Sequence, residues 1–282
     1  MPNEFTWRIE SLEDLPPWDW PKGAHDAILQ ALRDRKRPVK ERTLAAHLGG
    51  EIVVMDDVLA EALLEIFMSR EEPEEIRAAA AISFGPALQL AWEDGFEDPG
   101  SVPISEAMYD RIRAALRQVH DDTGAPKEVR RRALEAAVRA EDEWLFDAAR
   151  AAYKTGDREW VLTALFAMGH MDGFDREILD ALRSKEEEIQ REAIIAAGSR
   201  EIDGAWGVVS GLVARRGSPK PILLAAIPAA ASIRPEEAYE LLDPLRDSKD
   251  SEIREAVEDA LALASEDHGW DEDDDDEEDE GE

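Results

Sequence analysis

The sequence predicts an all-α fold: an α-solenoid of about seven antiparallel helix pairs, followed by a disordered acidic C-terminal tail. Three observations predict it. Apolar residues recur with the helical period from residue 24 to about residue 264, as at Ala24, Ala27, Ile28, Ala31 and Leu32. No segment sustains period-two alternation, so no sheet is expected. The stripes themselves repeat, which is the signature of stacked supersecondary units.

The repeat is read from an apolar anchor in the second helix of each pair. Ile76 is followed by Ala80, Ala81 and Gly85, and Val129 by Ala133, Leu134 and Ala137. Trp160 is followed by Ala164, Leu165 and Gly169, and Ile189 by Ala193, Ile194, Ala197 and Gly198. Pro221 is followed by Ala225, Ala226 and Ala229, and Ile253 by Val257, Ala260 and Leu261. The anchors step by 53, 31, 29, 32 and 32 residues, and an earlier copy begins at Val39. Small residues four and eight positions after the anchor let helices approach closely. Pro38, Pro73, Pro126 and Pro219 precede four anchors and mark helix starts, where a missing N–H costs nothing. The first helices fall near 24–36, 52–69, 104–120, 143–153, 174–184, 205–215 and 236–246.

The remaining segments follow in chain order. Residues 1–23 lie outside the repeat and hold Trp7, Trp18 and Trp20 among prolines; they are expected to cap the open end of the stack. Residues 24–266 form the repeat array. Its 53-residue step contains an acidic insertion loop at 91–103, where Trp92 and Phe96 are large residues to place on a loop. The loop carboxylates lack the spacing of a calcium-binding loop. Pro228 falls inside a second helix and is expected to kink it. Residues 267–282 form the tail, with 11 acidic residues between Asp271 and Glu282.

The runs between the helices of a pair carry a resemblance. Leu245-Arg246-Asp247-Ser248-Lys249-Asp250-Ser251-Glu252-Ile253-Arg254 resembles the inter-helix turn of HEAT repeats, as do Arg183–Gln190 and Ser69–Arg77. The resemblance implies a superhelix whose second helices line a concave face used for binding proteins. It directs attention to the residue after each anchor: Arg77, Arg130 and Arg254, with Gln190 in the same place. Arg131 joins them from a stretch, 109–139, that carries a local net charge of +3 in an acidic chain. With Trp92 and Phe96 these are the candidate partner-binding residues.

Composition sets the limits on chemistry. The chain of 282 residues has 33 Lys+Arg against 66 Asp+Glu, a net charge of −33, and no cysteine. Such a surface disfavours nucleic-acid binding, which requires positive charge against phosphates. No apolar run is long enough to span a bilayer, and the expected location is the cytoplasm. The five histidines form no metal-binding motif, and no phosphate loop, dinucleotide fingerprint or nucleophile elbow occurs. No metal and no cofactor are therefore expected. The reading that follows is a non-enzymatic scaffold binding a protein or peptide on the repeat surface. Two alternatives stand beside it: a polyanionic binder or chaperone of a basic protein, and an enzyme on a HEAT-like scaffold, of which phycobilin lyases are an example.

Overall fold

The computed structural model describes residues 8–98 and 100–266; the acidic tail, Trp7 and Pro99 lie outside them. Every regular element among the described residues is helical. In chain order these are α1 (Ala24–Arg33), α2 (Val39–Leu48), α3 (Asp57–Met68), α4 (Glu74–Ile82), α5 (Gly85–Asp94), α6 (Glu106–Asp121), α7 (Lys127–Ala137), α8 (Glu143–Lys154), α9 (Arg158–Met168), α10 (Asp175–Ala181), α11 (Glu187–Ser199), α12 (Trp206–Ala214), α13 (Lys220–Ile233), α14 (Pro235–Leu242) and α15 (Ser251–Glu266). Seven antiparallel pairs result, with α5 as an additional helix. The chain divides into two compact units, Met1–Met171 and Asp172–Glu282.

In the first unit the second helices form a continuous layer, α2 against α4, α4 against α7 and α7 against α9, with α1, α3, α6 and α8 behind them. Their buried stripes supply the core: Ala45 and Ala46 on α2, Ile76, Ala80 and Ala81 on α4, Val129, Ala133 and Leu134 on α7, and Ala164 and Leu165 on α9. Larger side chains fill the space toward the first helices, as where the Phe67 and Phe84 rings meet edge-on at 6.2 Å. The N-terminal segment packs on α1 and α2 through buried Ile9 and Leu12, and Trp20 Nε1 donates to the Leu12 carbonyl at 3.1 Å. In the second unit α11, α13 and α15 form the corresponding layer.

The four prolines sit at the N-caps of α2, α4, α7 and α13 in extended conformation, each ending the preceding turn. Two differences from the sequence reading have physical causes. The stripe after Ile76 breaks into α4 and α5, because Pro86 has no N–H for the Ile82 carbonyl. The true anchor position of the first pair is Glu41, not Val39; Val39 is 43% exposed, and the following Arg42 makes the contact made by the other anchor-following residues. Helix α13 carries Pro228 in its interior, as the sequence reading places it.

Candidate functional site

Five of the seven anchor-following residues among the described pairs share one job; the other two, Val161 and Ile222, are apolar. Arg42 Nε and Nη2 donate to the Leu32 carbonyl at 3.1 and 3.0 Å. Arg77 Nε donates to Phe67 O at 2.9 Å and Arg130 Nε to His120 O at 2.8 Å. Gln190 Nε2 reaches Leu182 O at 2.9 Å, and Arg254 Nη1 reaches Ser248 O at 2.6 Å. In the first four pairs so linked, a carbonyl at the C-terminal end of the first helix, without an intrahelical donor, is satisfied by the second helix. These groups therefore fix the pair geometry; the sequence reading offers Arg77, Arg130, Gln190 and Arg254 as partner-binding residues and does not single out Arg42. Burial lowers the Arg77 pKa from its ordinary value, chiefly through lost solvation.

Arg131 is buried inside a polar network. Its Nε donates to Thr163 Oγ1 at 2.9 Å and its Nη1 to Glu128 Oε2 at 2.6 Å, and Thr163 Oγ1 donates to Glu135 Oε1 at 2.6 Å. The positive stretch around it is neutralised by carboxylates: Arg111 pairs with Glu61 at 2.5 Å, Arg113 with Asp142 at 3.1 Å, and Lys127 with Asp157 and Glu159 at 2.6 and 2.5 Å. Trp92 lies half-exposed on α5, whereas the Phe96 ring stands edge-on against Tyr109 at 5.4 Å.

The concave site that sequence reasoning missed lies in the second unit. It is a groove of about 650 Å3 lined by Arg191 and Ile195 of α11, by Lys220, Pro221, Leu224, Ala225 and Pro228 of α13, and by Glu252 of α15. A smaller recess of about 100 Å3 continues it past Pro228 toward Ala260 and Leu263 of α15. On α13 the groove floor includes Pro221, Ala225 and Pro228, beside the exposed Ile195 of α11. Helix α11 comes close to α13 because Gly198 has no Cβ; one added there would stand 2.7 Å from Ala229 Cα.

The groove has polarity. The Gly198–Ala229 contact and the Arg191–Lys220 end place α11 and α13 parallel, one repeat apart in register. Arg191 and Lys220 therefore stand at the N-terminal end of the groove, and Ile195, Leu224 and Pro228 one to two turns further along. The turn entering α13, Arg215-Arg216-Gly217-Ser218-Pro219, is the one inter-helix turn among the described pairs without a carboxylate. Lys220 Nζ bridges Asp250 and Glu252 at 2.8 Å each, and its pKa is raised, first by the Asp250 hydrogen bond and then by that of Glu252. The Arg191 guanidinium has its nearest carboxylate, Glu192, at 3.8 Å, beyond hydrogen-bond distance. The groove thus offers Arg191 with a loosely held carboxylate neighbour, Lys220 paired to the lining carboxylate of Glu252, and an apolar wall. Among the described residues no group of three or more His, Asp or Glu is placed to hold a metal ion.

No protein-family model matches the chain, and no curated protein matches it. Solved structures do. Human deoxyhypusine hydroxylase, in complex with glycerol, is similar at 18% identity and a TM-score of 0.40, over 92% of this chain and 88% of that one. An engineered protein is similar at 17% identity and a TM-score of 0.33, over 86% and 96%. The likeness is one of HEAT-like helical-repeat architecture. It corrects the expectation of a non-enzymatic scaffold: a hydroxylase stands among the chains with this architecture, so helix-pair repeats do not imply the absence of catalysis. The hydroxylase's activity does not pass to this chain at that distance.

Proposed function

We propose that the chain is a HEAT-repeat family member that binds a small amphipathic anion in the groove between α11, α13 and α15. The observation that carries the reading is the polarity of the groove, with Arg191 and Lys220 at one end and Ile195, Leu224 and Pro228 beyond. The anionic head meets the Arg191 guanidinium through charge-assisted hydrogen bonds. The apolar body lies along the α13 wall and is removed from water there. The volume suits a small molecule.

Calorimetric titration with dodecanoate below its micellar range tests the reading. Arg191→Ala is expected to weaken binding about tenfold, as loss of a charge-assisted hydrogen bond does. Ile195→Asp is expected to remove measurable binding by placing a carboxylate against the ligand. Both side chains are exposed, so helix content by circular dichroism should not change. Equal affinity in the wild type and both variants would refute the proposal.

A second reading rests on the net charge of −33. It supports a basic protein partner held by the acidic surface and residues 271–282. Such binding has to weaken steeply with added salt. A partner retained at high salt by a chain ending at Asp267 would refute it. We infer a cytoplasmic location, which cell fractionation tests. Among the described residues no helix is long and apolar enough to cross a membrane.

A further inference from the structure

We infer that the ligand of this groove carries an amide N–H beside its anionic group, as an N-acyl amino acid does; the inference rests on the groove reading above. Within an α-helix the carbonyl of each residue accepts from the N–H four residues on. Pro228 has no N–H, so the Leu224 carbonyl loses that donor. No side chain among the described residues donates to it in its place. Leu224 and Pro228 both line the cavity, so the oxygen between them lies on the groove face of α13.

This acceptor stands in a specific place. Leu224 follows Lys220 by four residues, about 6 Å of helix rise, and Ile195 follows Arg191 by the same number on the parallel helix. A ligand with its head at Arg191 and its body on Ile195 therefore passes the Leu224 oxygen just behind the head. An apolar chain lying there would expel water from that oxygen and return no hydrogen bond, which costs affinity. An ammonium would supply the donor but would meet the positive charge of Arg191 and Lys220. A neutral amide N–H next to a carboxylate meets both conditions, and its acyl chain fills the apolar remainder.

Two probes separate the cases, N-dodecanoylglycine and N-dodecanoylsarcosine, which differ in an N–H against an N–methyl. Both are titrated calorimetrically below their micellar ranges into the full-length protein, into Pro228→Ala and into Arg191→Ala. The wild type is expected to prefer the glycine probe by roughly three- to tenfold, the range of one hydrogen bond. In Pro228→Ala the new N–H takes the Leu224 carbonyl, and the preference should fall to about one while the helix gains stability. Equal binding of the two probes to the wild type, or a preference that survives in Pro228→Ala, overturns the amide inference. If Arg191→Ala still weakens both probes in that case, the groove reading stands without it. Binding indifferent to Arg191→Ala, or no binding of either probe, overturns both.

Discussion

Replacing Glu72 by alanine should destabilise the first unit by about 3 kcal/mol, the lower end of what breaking a buried ion pair costs. Glu72 and Arg42 are each 5% exposed at the side chain and are joined bidentately, Nη1 to Oε2 at 2.6 Å and Nη2 to Oε1 at 3.1 Å. The pair ties α2 to the turn before α4, and Arg35 adds a third contact at 3.0 Å from outside. Alanine leaves the Arg42 guanidinium buried without a counter-charge. Its two bonds to Leu32 O remain, and Arg35 returns to water, which is why the lower end applies. Urea unfolding at neutral pH measures the cost, and hydrogen exchange should place it in α1 to α4. A cycle with Arg42→Met should show coupling of about 2 kcal/mol. The pH dependence carries a sign. Arg42's hydrogen bond, the largest cause, holds the Glu72 pKa below its ordinary value. The contribution is therefore complete above the unfolded glutamate pKa of about 4.3 and disappears as pH falls through the folded value. A difference between wild type and variant below about 1 kcal/mol at neutral pH, or one that stays constant through the acid range, would refute the reasoning.

Other perturbations test other links. Gly198→Ala should cost about 2 kcal/mol, since the added Cβ meets Ala229 Cα at 2.7 Å and backbone cannot yield cheaply, whereas Gly207→Ala in α12 meets nothing within 4 Å and should add about 0.5 to 1 kcal/mol; thermal melts of the two variants should move in opposite directions. Arg77→Ala should cost about 2 kcal/mol by leaving the Phe67 carbonyl without a partner, read from urea unfolding. His120 lies 5.2 Å from Trp144 and 5.9 Å from Trp160, and its Nδ1–H donates to Arg130 O at 3.2 Å. Burial, the largest cause, lowers its pKa, so the unfolded chain takes up a proton first and stability falls as pH drops below about 6.5; an imidazole NMR titration midpoint at or above that value would contradict this.

The parts of the fold that the sequence shows are those set by local chemistry. Pro73, Pro126 and Pro219 announce the starts of α4, α7 and α13 because proline cannot continue the turn before them. Ala80, Ala133, Ala164 and Ala193 announce the close layer of second helices because no larger side chain fits there. Arg77 and Arg130 stand out by recurrence alone, but their target, a carbonyl ten residues earlier, depends on the angle at which two helices meet. The break at Ser83 was readable from Pro86 and was masked by the strong alanine stripe around it. The groove was not readable, since its lining comes from three helices a repeat apart. The signal nearest to it was Pro228, a residue that in isolation predicts only a kink.

The acid excess also has a local explanation for much of its extent. Glu74 and Glu75, Glu128, Glu159, Glu187 and Glu188, and Glu252 all fall in the first turns of second helices, where the helix dipole favours them. Along the turn edge, cations of one pair reach carboxylates of the next: Arg35 to Glu71 and Glu72, Arg70 to Asp122, Lys127 to Asp157 and Glu159, and Lys220 to Asp250 and Glu252. Such exposed pairs add little stability singly, but they hold successive turns in register. Each rung uses one cation against one or two acids, so a repeat built this way accumulates negative charge without any partner. Against that background the turn at 215–219 is the exception. It carries two arginines and no carboxylate, and it leads directly into Lys220 at the end of the groove where Arg191 stands. A repeat that departs from the charge rule of its neighbours at the mouth of a cavity is where an anionic ligand would be selected, and this is the physical reason to begin functional work there.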